Sequence, residues 1–207
     1  MDIIIRSDSV EITGYVNAVE RDSQPLRDRF GQFIERIRKG AFKRAIQKNS
    51  DIHVLLNHDW SRDLGSTTRG NLELTEDSIG LKARVVTDDP EVIDDARNNR
   101  LVGWSFGFHD APEGVQESVY NGMRQRIVND MDLREVSILN SKRRPAYEGT
   151  LINARDDEPP IYLAEDFVNA VNIRDETDPQ PQDSDEIKEE PKFDNSKYKQ
   201  MIAEMKA

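Results

Sequence analysis

Leu101-Val102-Gly103-Trp104-Ser105-Phe106-Gly107-Phe108 is the stretch on which the reading of this chain turns. As a β-strand its side chains alternate, so Val102, Trp104, Phe106 and Phe108 fall on one face and Gly103, Ser105 and Gly107 on the other. The first face is bulky and apolar and calls for a core. The second is nearly bare, one hydroxyl between two glycines, and leaves room for another backbone to lie against it. That is how a serine nucleophile is offered to an extended peptide. A serine on the outer side of a core strand is also ordinary by itself, so the functional reading depends on partners elsewhere in the chain.

A length of 207 residues suits one domain of usual size with an appendage. The mean hydropathy of -0.77 points to a soluble protein. No apolar run reaches membrane-spanning length, and Met1-Asp2-Ile3-Ile4-Ile5-Arg6 lacks the basic region and long apolar core of a signal peptide, so a cytoplasmic protein with no membrane partner is expected. The absence of cysteine excludes disulfides, thiolate nucleophiles and cysteine-based metal sites. His53, His58 and His109 have no metal-ligand spacing, so neither metal nor cofactor is expected. The net charge is -11, yet residues 1–155 hold 25 acidic and 23 basic side chains, which leaves most of the acidity in residues 156–207. A nearly neutral body has no basic footprint for nucleic acid.

Around the central strand, Ile3 to Ile5 and Val10 to Val19 read as a first pair of strands, and Arg21 to Gly31, polar and containing Pro25, as a loop. Ile34, Ile37, Ala41, Ala45 and Ile46 follow helical spacing, which predicts helix over Phe33 to Lys48 with a break at Gly40. Ile52 to His58 reads as a strand that ends on its histidine. Leu64 to Thr68, Gly70 to Leu74 and Gly80 to Val86 follow as strands, and Asp89-Pro90 opens a short helix with Asp89 as N-cap. A loop is expected over His109 to Gly122, and one long or two consecutive strands over Arg124 to Leu139. Together these predict a mainly β domain with flanking helices, its sheet antiparallel, over residues 1–155. Residues 156–192 hold five prolines among many acids and read as a disordered linker; Phe193 to Ala207 would form a short amphipathic helix.

Gly103-Trp104-Ser105-Phe106-Gly107 matches the letters G-x-S-x-G, but the α/β-hydrolase elbow needs a helix directly after the serine and a distant downstream histidine, and this chain offers neither. His58, in Leu55-Leu56-Asn57-His58-Asp59, is the better base, because serine becomes a nucleophile when an imidazole takes its proton. His53 falls on the other face of the same strand and is its rival. Glu135 lies among residues that want burial, in Leu133-Arg134-Glu135-Val136-Ser137-Ile138, and a buried carboxylate needs a partner such as a histidine.

These residues together resemble a family. Gly14-Tyr15, Gly31-Gln32-Phe33-Ile34-Glu35-Arg36-Ile37 running into Gly40-Ala41-Phe42, Leu56-Asn57-His58-Asp59, Gly103 to Phe108, Leu133 to Ile138 and Pro145-Ala146-Tyr147 are similar, in this order, to the prohead proteases of tailed bacteriophages. The resemblance implies a serine endopeptidase with a closed antiparallel β-barrel related to herpesvirus assemblin. Its base, nucleophile and third triad member would be His58, Ser105 and Glu135; the herpesvirus relatives carry a second histidine in the third place. Gly103, Trp104, Phe106 and Gly107 would line the substrate, and Arg143 and Arg144 would lie near the oxyanion. Substrates would be the scaffolding segment of the major capsid protein or a separate scaffold protein, and the protease itself, inside the immature capsid in the bacterial cytoplasm. The acidic tail would be a signal for entry into the prohead, a segment removed by self-cleavage, or an inert solubilising tail. The herpesvirus relatives also make a homodimer worth testing. The competing expectations are a capsid-assembly protein that has kept the barrel without catalysis, and an esterase of small molecules.

Overall fold

The computed structural model describes residues 1–28, 30–141 and 171–177, and the backbone of residues 162–167. In chain order the elements are β1 (Asp2–Ile5), β2 (Val10–Ala18), β3 (Leu26–Asp28), β4 (Gly31–Ile37), α1 (Ala41–Lys48), β5 (His53–Leu56), β6 (Asp59–Ser66), β7 (Leu72–Glu76), β8 (Gly80–Thr87), α2 (Pro90–Arg97), β9 (Leu101–Asp110), β10 (Val115–Tyr120), β11 (Met123–Val128), β12 (Met131–Asn140), β13 (Tyr162–Phe167) and β14 (Asn172–Asp175). The chain is mostly β, as its sequence predicts. None of the helices is long and apolar enough to cross a membrane, among the described residues.

The strands form three sheets, ordered β14-β1-β2-β8-β7, β10-β11-β4-β3 and β13-β9-β12-β5-β6. No sheet closes on itself among the described residues, and β1 with β14, β11 with β4, and β12 with β5 pair in parallel. The expected closed antiparallel barrel is therefore corrected to three open sheets of mixed direction. The linker reading is corrected too: β13 pairs antiparallel with β9 and β14 parallel with β1, so residues 162–167 and 172–175 extend two sheets. Backbone hydrogen bonding needs few apolar side chains, which is why composition alone missed both strands. The expected helix over residues 193–207 lies outside the described residues.

The hydrophobic core joins the first and third sheets. Ile3, Ile5, Val10, Ile12, Leu81, Ala83 and Val85 come from one sheet; Val54, Leu56, Trp104, Phe106, Phe108, Val136 and Ile138 come from the other. Phe42 of α1 meets Phe106 edge-on at 5.2 Å, and Phe106 stacks on Phe108 at 5.6 Å. Each aromatic pair adds roughly 0.5–1.5 kcal/mol to the burial of its surface.

The helix expected over Phe33 to Lys48 splits at its midpoint. Phe33, Glu35 and Ile37 are buried in alternation, so Gly31–Ile37 is a strand, and only Ala41–Lys48 is helical. Ile34, counted toward the helical spacing, is only partly buried. Gly40 supplies the left-handed φ of 87° that starts α1, and Glu76 of β7 accepts from Gly40 N and Lys43 N at 2.6 Å each, putting a carboxylate on the electropositive end of that helix. Asp89 caps α2 as expected, accepting from Glu91 N and Val92 N, with Pro90 in the first turn. The two expected loops each contain a strand, β3 within Arg21 to Gly31 and β10 within His109 to Gly122.

Candidate active site

β9 runs between β12 and β13, and Ser105 sits at its middle with no exposed surface. Trp104, Phe106 and Phe108 enter the core, so Ser105, Gly103 and Gly107 face the other way. Val102, expected on the core face, is skipped by the pairing: Leu139 is opposite Gly103 and Asn140 opposite Leu101. This bulge hands the core position to Leu101, which is 3% exposed.

A second bulge places the carboxylate. Leu133, Glu135 and Ser137 have the same parity, and an unbroken strand would aim all three at one face. The register passes from Leu133 opposite Phe108 to Glu135 opposite Gly107, with Arg134 left over. Leu133 therefore joins the core while Glu135 and Ser137 turn to the serine face, Ser137 directly opposite Ser105.

His58 reaches the same face by a different route. It is not the last residue of β5 but the second residue of a two-residue turn, in which Asn57 and His58 have φ of 57° and 59° while Leu56 pairs with Asp59. Positive φ at both central residues is what a tight hairpin turn requires, and a histidine there carries a conformational cost. Several hydrogen bonds from β12 offset it. Asn57 N donates to Ile138 O at 2.9 Å and His58 N to Ser137 Oγ at 3.1 Å. Asn57 Nδ2 donates to Asn140 Oδ1 at 2.8 Å, and Asn140 N donates back to Asn57 Oδ1 at 3.0 Å. Asn140 Nδ2 in turn donates to the buried Asp95 of α2 at 2.6 Å, whose other oxygen takes Arg100 Nε at 2.7 Å.

With the turn so held, the imidazole lies between the serine and the carboxylate. Ser105 Oγ is 2.7 Å from His58 Nε2, and His58 Nδ1 is 2.6 Å from Glu135 Oε1. The consistent assignment has Nδ1–H donating to the Glu135 carboxylate oxygen and Nε2 accepting from the hydroxyl. The His58 and Glu135 side chains are 3% and 2% exposed, so water does not compete for either bond. An arrangement of this kind can remove a proton from the serine and stabilise the imidazolium that results.

Strand alternation alone would put His58 on the face of Val54 and Leu56, which is the core face; the turn frees it from that rule. His53 is the residue opposite Glu135 in the β5–β12 pairing, yet its ring engages Asp63 at 3.1 Å and packs 5.3 Å from Trp60. Trp104 and Phe106, expected to line the substrate, have fully buried side chains in the core, so only their backbone can meet a peptide. Arg143 and Arg144 lie outside the described residues. Sequence reasoning missed Asn57, Asn140, Asp95 and Ser137; of these only Ser137 carried a signal, its two-residue spacing from Glu135. Among the described residues no group of three or more histidine and carboxylate side chains is placed to hold a metal ion.

Comparison with curated proteins and with solved structures found no match in either set. The model of one family, the caudovirus prohead serine protease, matches residues 2–159. That span runs from β1 through the Ser105, His58 and Glu135 elements, and on this match the chain belongs to the caudovirus prohead serine protease family.

Proposed function

We propose that this chain is a capsid-maturation endopeptidase in which Ser105 is the nucleophile, His58 the general base and Glu135 the carboxylate that orients the imidazole. The observation that carries the reading is the buried hydrogen-bonded line from Ser105 Oγ through His58 to Glu135, at 2.7 and 2.6 Å. Ser105 Oγ attacks the scissile carbonyl carbon as its proton passes to His58 Nε2. The tetrahedral intermediate collapses, the C–N bond breaks, and His58 returns the proton to the leaving amine. Water then hydrolyses the acyl-enzyme by the same base. Backbone N–H groups beside Ser105, or the segment holding Arg143 and Arg144, would receive the oxyanion.

An extended peptide would bind as a strand along one edge of β9, beside the bare backbone of Gly103 and Gly107. The position of β13 supports this: it runs antiparallel along β9, with residue 165 opposite Ser105. β12 takes the other edge of β9, so a peptide comes to the serine either as the chain's own residues 162–167 or in their place. Self-cleavage within that segment follows, together with cleavage of the scaffolding part of the major capsid protein or of a separate scaffold, inside the prohead in the host cell. Co-expression with the capsid and scaffold proteins of the same phage, read by intact mass, tests this. The wild-type chain is expected to shorten one of them and itself, and Ser105→Ala to leave all whole. If wild type and Ser105→Ala leave every partner uncut, the chain is an assembly protein without catalysis.

A further inference from the structure

Ser137 is a second buried serine at the site, and its hydroxyl both donates and accepts there. It has no exposed surface, and its Cα lies opposite Ser105 on β9 and Leu55 on β5. Its Oγ donates to Glu135 Oε2 at 2.6 Å and accepts from His58 N–H at 3.1 Å. It points at the carboxylate and not at Nε2, so it is not a rival nucleophile. One hydroxyl thus holds two members of the line, the acid by its outer oxygen and the base by its backbone.

We infer that Ser137 is a positioning residue, setting the rotation of the Glu135 carboxylate and the place of the His58 turn so that Oε1, Nδ1, Nε2 and Ser105 Oγ stay in line. The inference rests on Ser105, His58 and Glu135 acting as proposed above. The torsion that turns a carboxylate about its last bond is soft, so a single bond to Oε1 leaves it free to swing. Fixing Oε2 removes that freedom. The bond to His58 N–H anchors a histidine at φ 59°, a conformation L residues seldom adopt. Without Ser137 Oγ, Oε2 and the N–H would both be left without this partner in a buried site, and the imidazole would sample orientations that cannot take the serine proton. Such loosening slows proton transfer without altering how the reagent or peptide is bound.

The test is the rate at which a fluorophosphonate phosphonylates Ser105 in the full chain, its Oγ–P bond forming as fluoride leaves, taken to saturation, for wild type, Ser137→Ala and Ser137→Thr, with thermal melting beside it. In Ser137→Ala the maximal rate is expected to fall roughly 10–100-fold, with the half-saturating concentration unchanged. Ser137→Thr, which keeps the hydroxyl, is expected to recover most of the rate. A folded alanine variant that reacts at the wild-type rate, or one that loses only melting temperature, overturns the inference and leaves the triad reading standing. Wild type that does not react at Ser105 overturns both. Should the alanine variant fail to fold, Ser137→Cys keeps the volume with a weaker donor, and wild-type speed in that variant overturns the inference equally.

Discussion

Ser105 is set apart from other strand serines by what its neighbours lack. Gly103 and Gly107 leave the backbone bare on its face, while Trp104 and Phe106 bury the opposite one. The same economy explains a glycine far from it in sequence. A Cβ at Gly14 would lie 2.8 Å from Trp104 Nε1 and 3.2 Å from its Cδ1, so β2 can pack on the residue beside Ser105 only if position 14 has no side chain. Trp104 is fully buried and cannot step aside. Gly14→Ala is accordingly expected to destabilise the fold by about 1–3 kcal/mol, measured by urea unfolding. An unchanged midpoint would mean that β2 and β9 do not pack as closely as these distances require.

At the scale of elements, what could be read from the sequence and what could not divide along periodicity. The Ser105 strand, the Asp89-Pro90 helix start and the first two strands carry local signals, period-2 alternation or a capping residue, and all three stand in the structure. Ser105, His58 and Glu135 stand out by residue type and context, and the fold brings them within hydrogen-bond reach. The geometry that does so was not legible. Two bulges, at Val102 and Arg134, shift parity within β9 and β12, and the Asn57-His58 turn lifts the histidine out of the strand's alternation. Each is a one- or two-residue backbone event with no periodic trace. The Phe33 to Ile37 strand reads as helix because Ile34, Ile37 and Ala41 happen to match helical spacing, while the alternation of Phe33, Glu35 and Ile37 hides a charge in a buried position. That charge belongs to a pair: Glu35 lies opposite Arg126 in the β4–β11 register and accepts from its Nε at 3.0 Å.

For the molecule as a whole, that pair helps join two sheets. Arg126 of β11 also donates to Asp110 at the end of β9, at 2.7 Å, which ties the second sheet to the strand that carries Ser105. Burial pushes the Glu35 carboxyl up to about 7, against the pull of Arg126. The folded chain therefore holds this proton more tightly than the unfolded chain, where the ordinary value is 4.5. Below 4.5 both states are protonated; as pH rises from there to about 7 only the unfolded chain gives up the proton freely, and stability falls, by about 3 kcal/mol at most. Carboxylates such as Asp22, held low by Arg36, act in the opposite sense and at lower pH. Unfolding free energies taken between pH 4.5 and 7 for wild type and Glu35→Gln should show the difference between the two narrowing or reversing by that amount. A difference that stays constant would mean Glu35 titrates alike in both states. The arrangement of sheets itself lay beyond sequence reading, since parallel pairings such as β12 with β5 are set by long-range packing and not by local pattern.

The central claim is that Ser105 is the nucleophile and His58 its base. Treating the full chain with a fluorophosphonate and mapping the adduct by peptide mass spectrometry tests it directly. The account predicts one adduct, on Ser105, lost in Ser105→Ala and sharply reduced in His58→Ala. An adduct on another residue, or labelling that persists undiminished in His58→Ala, would contradict it.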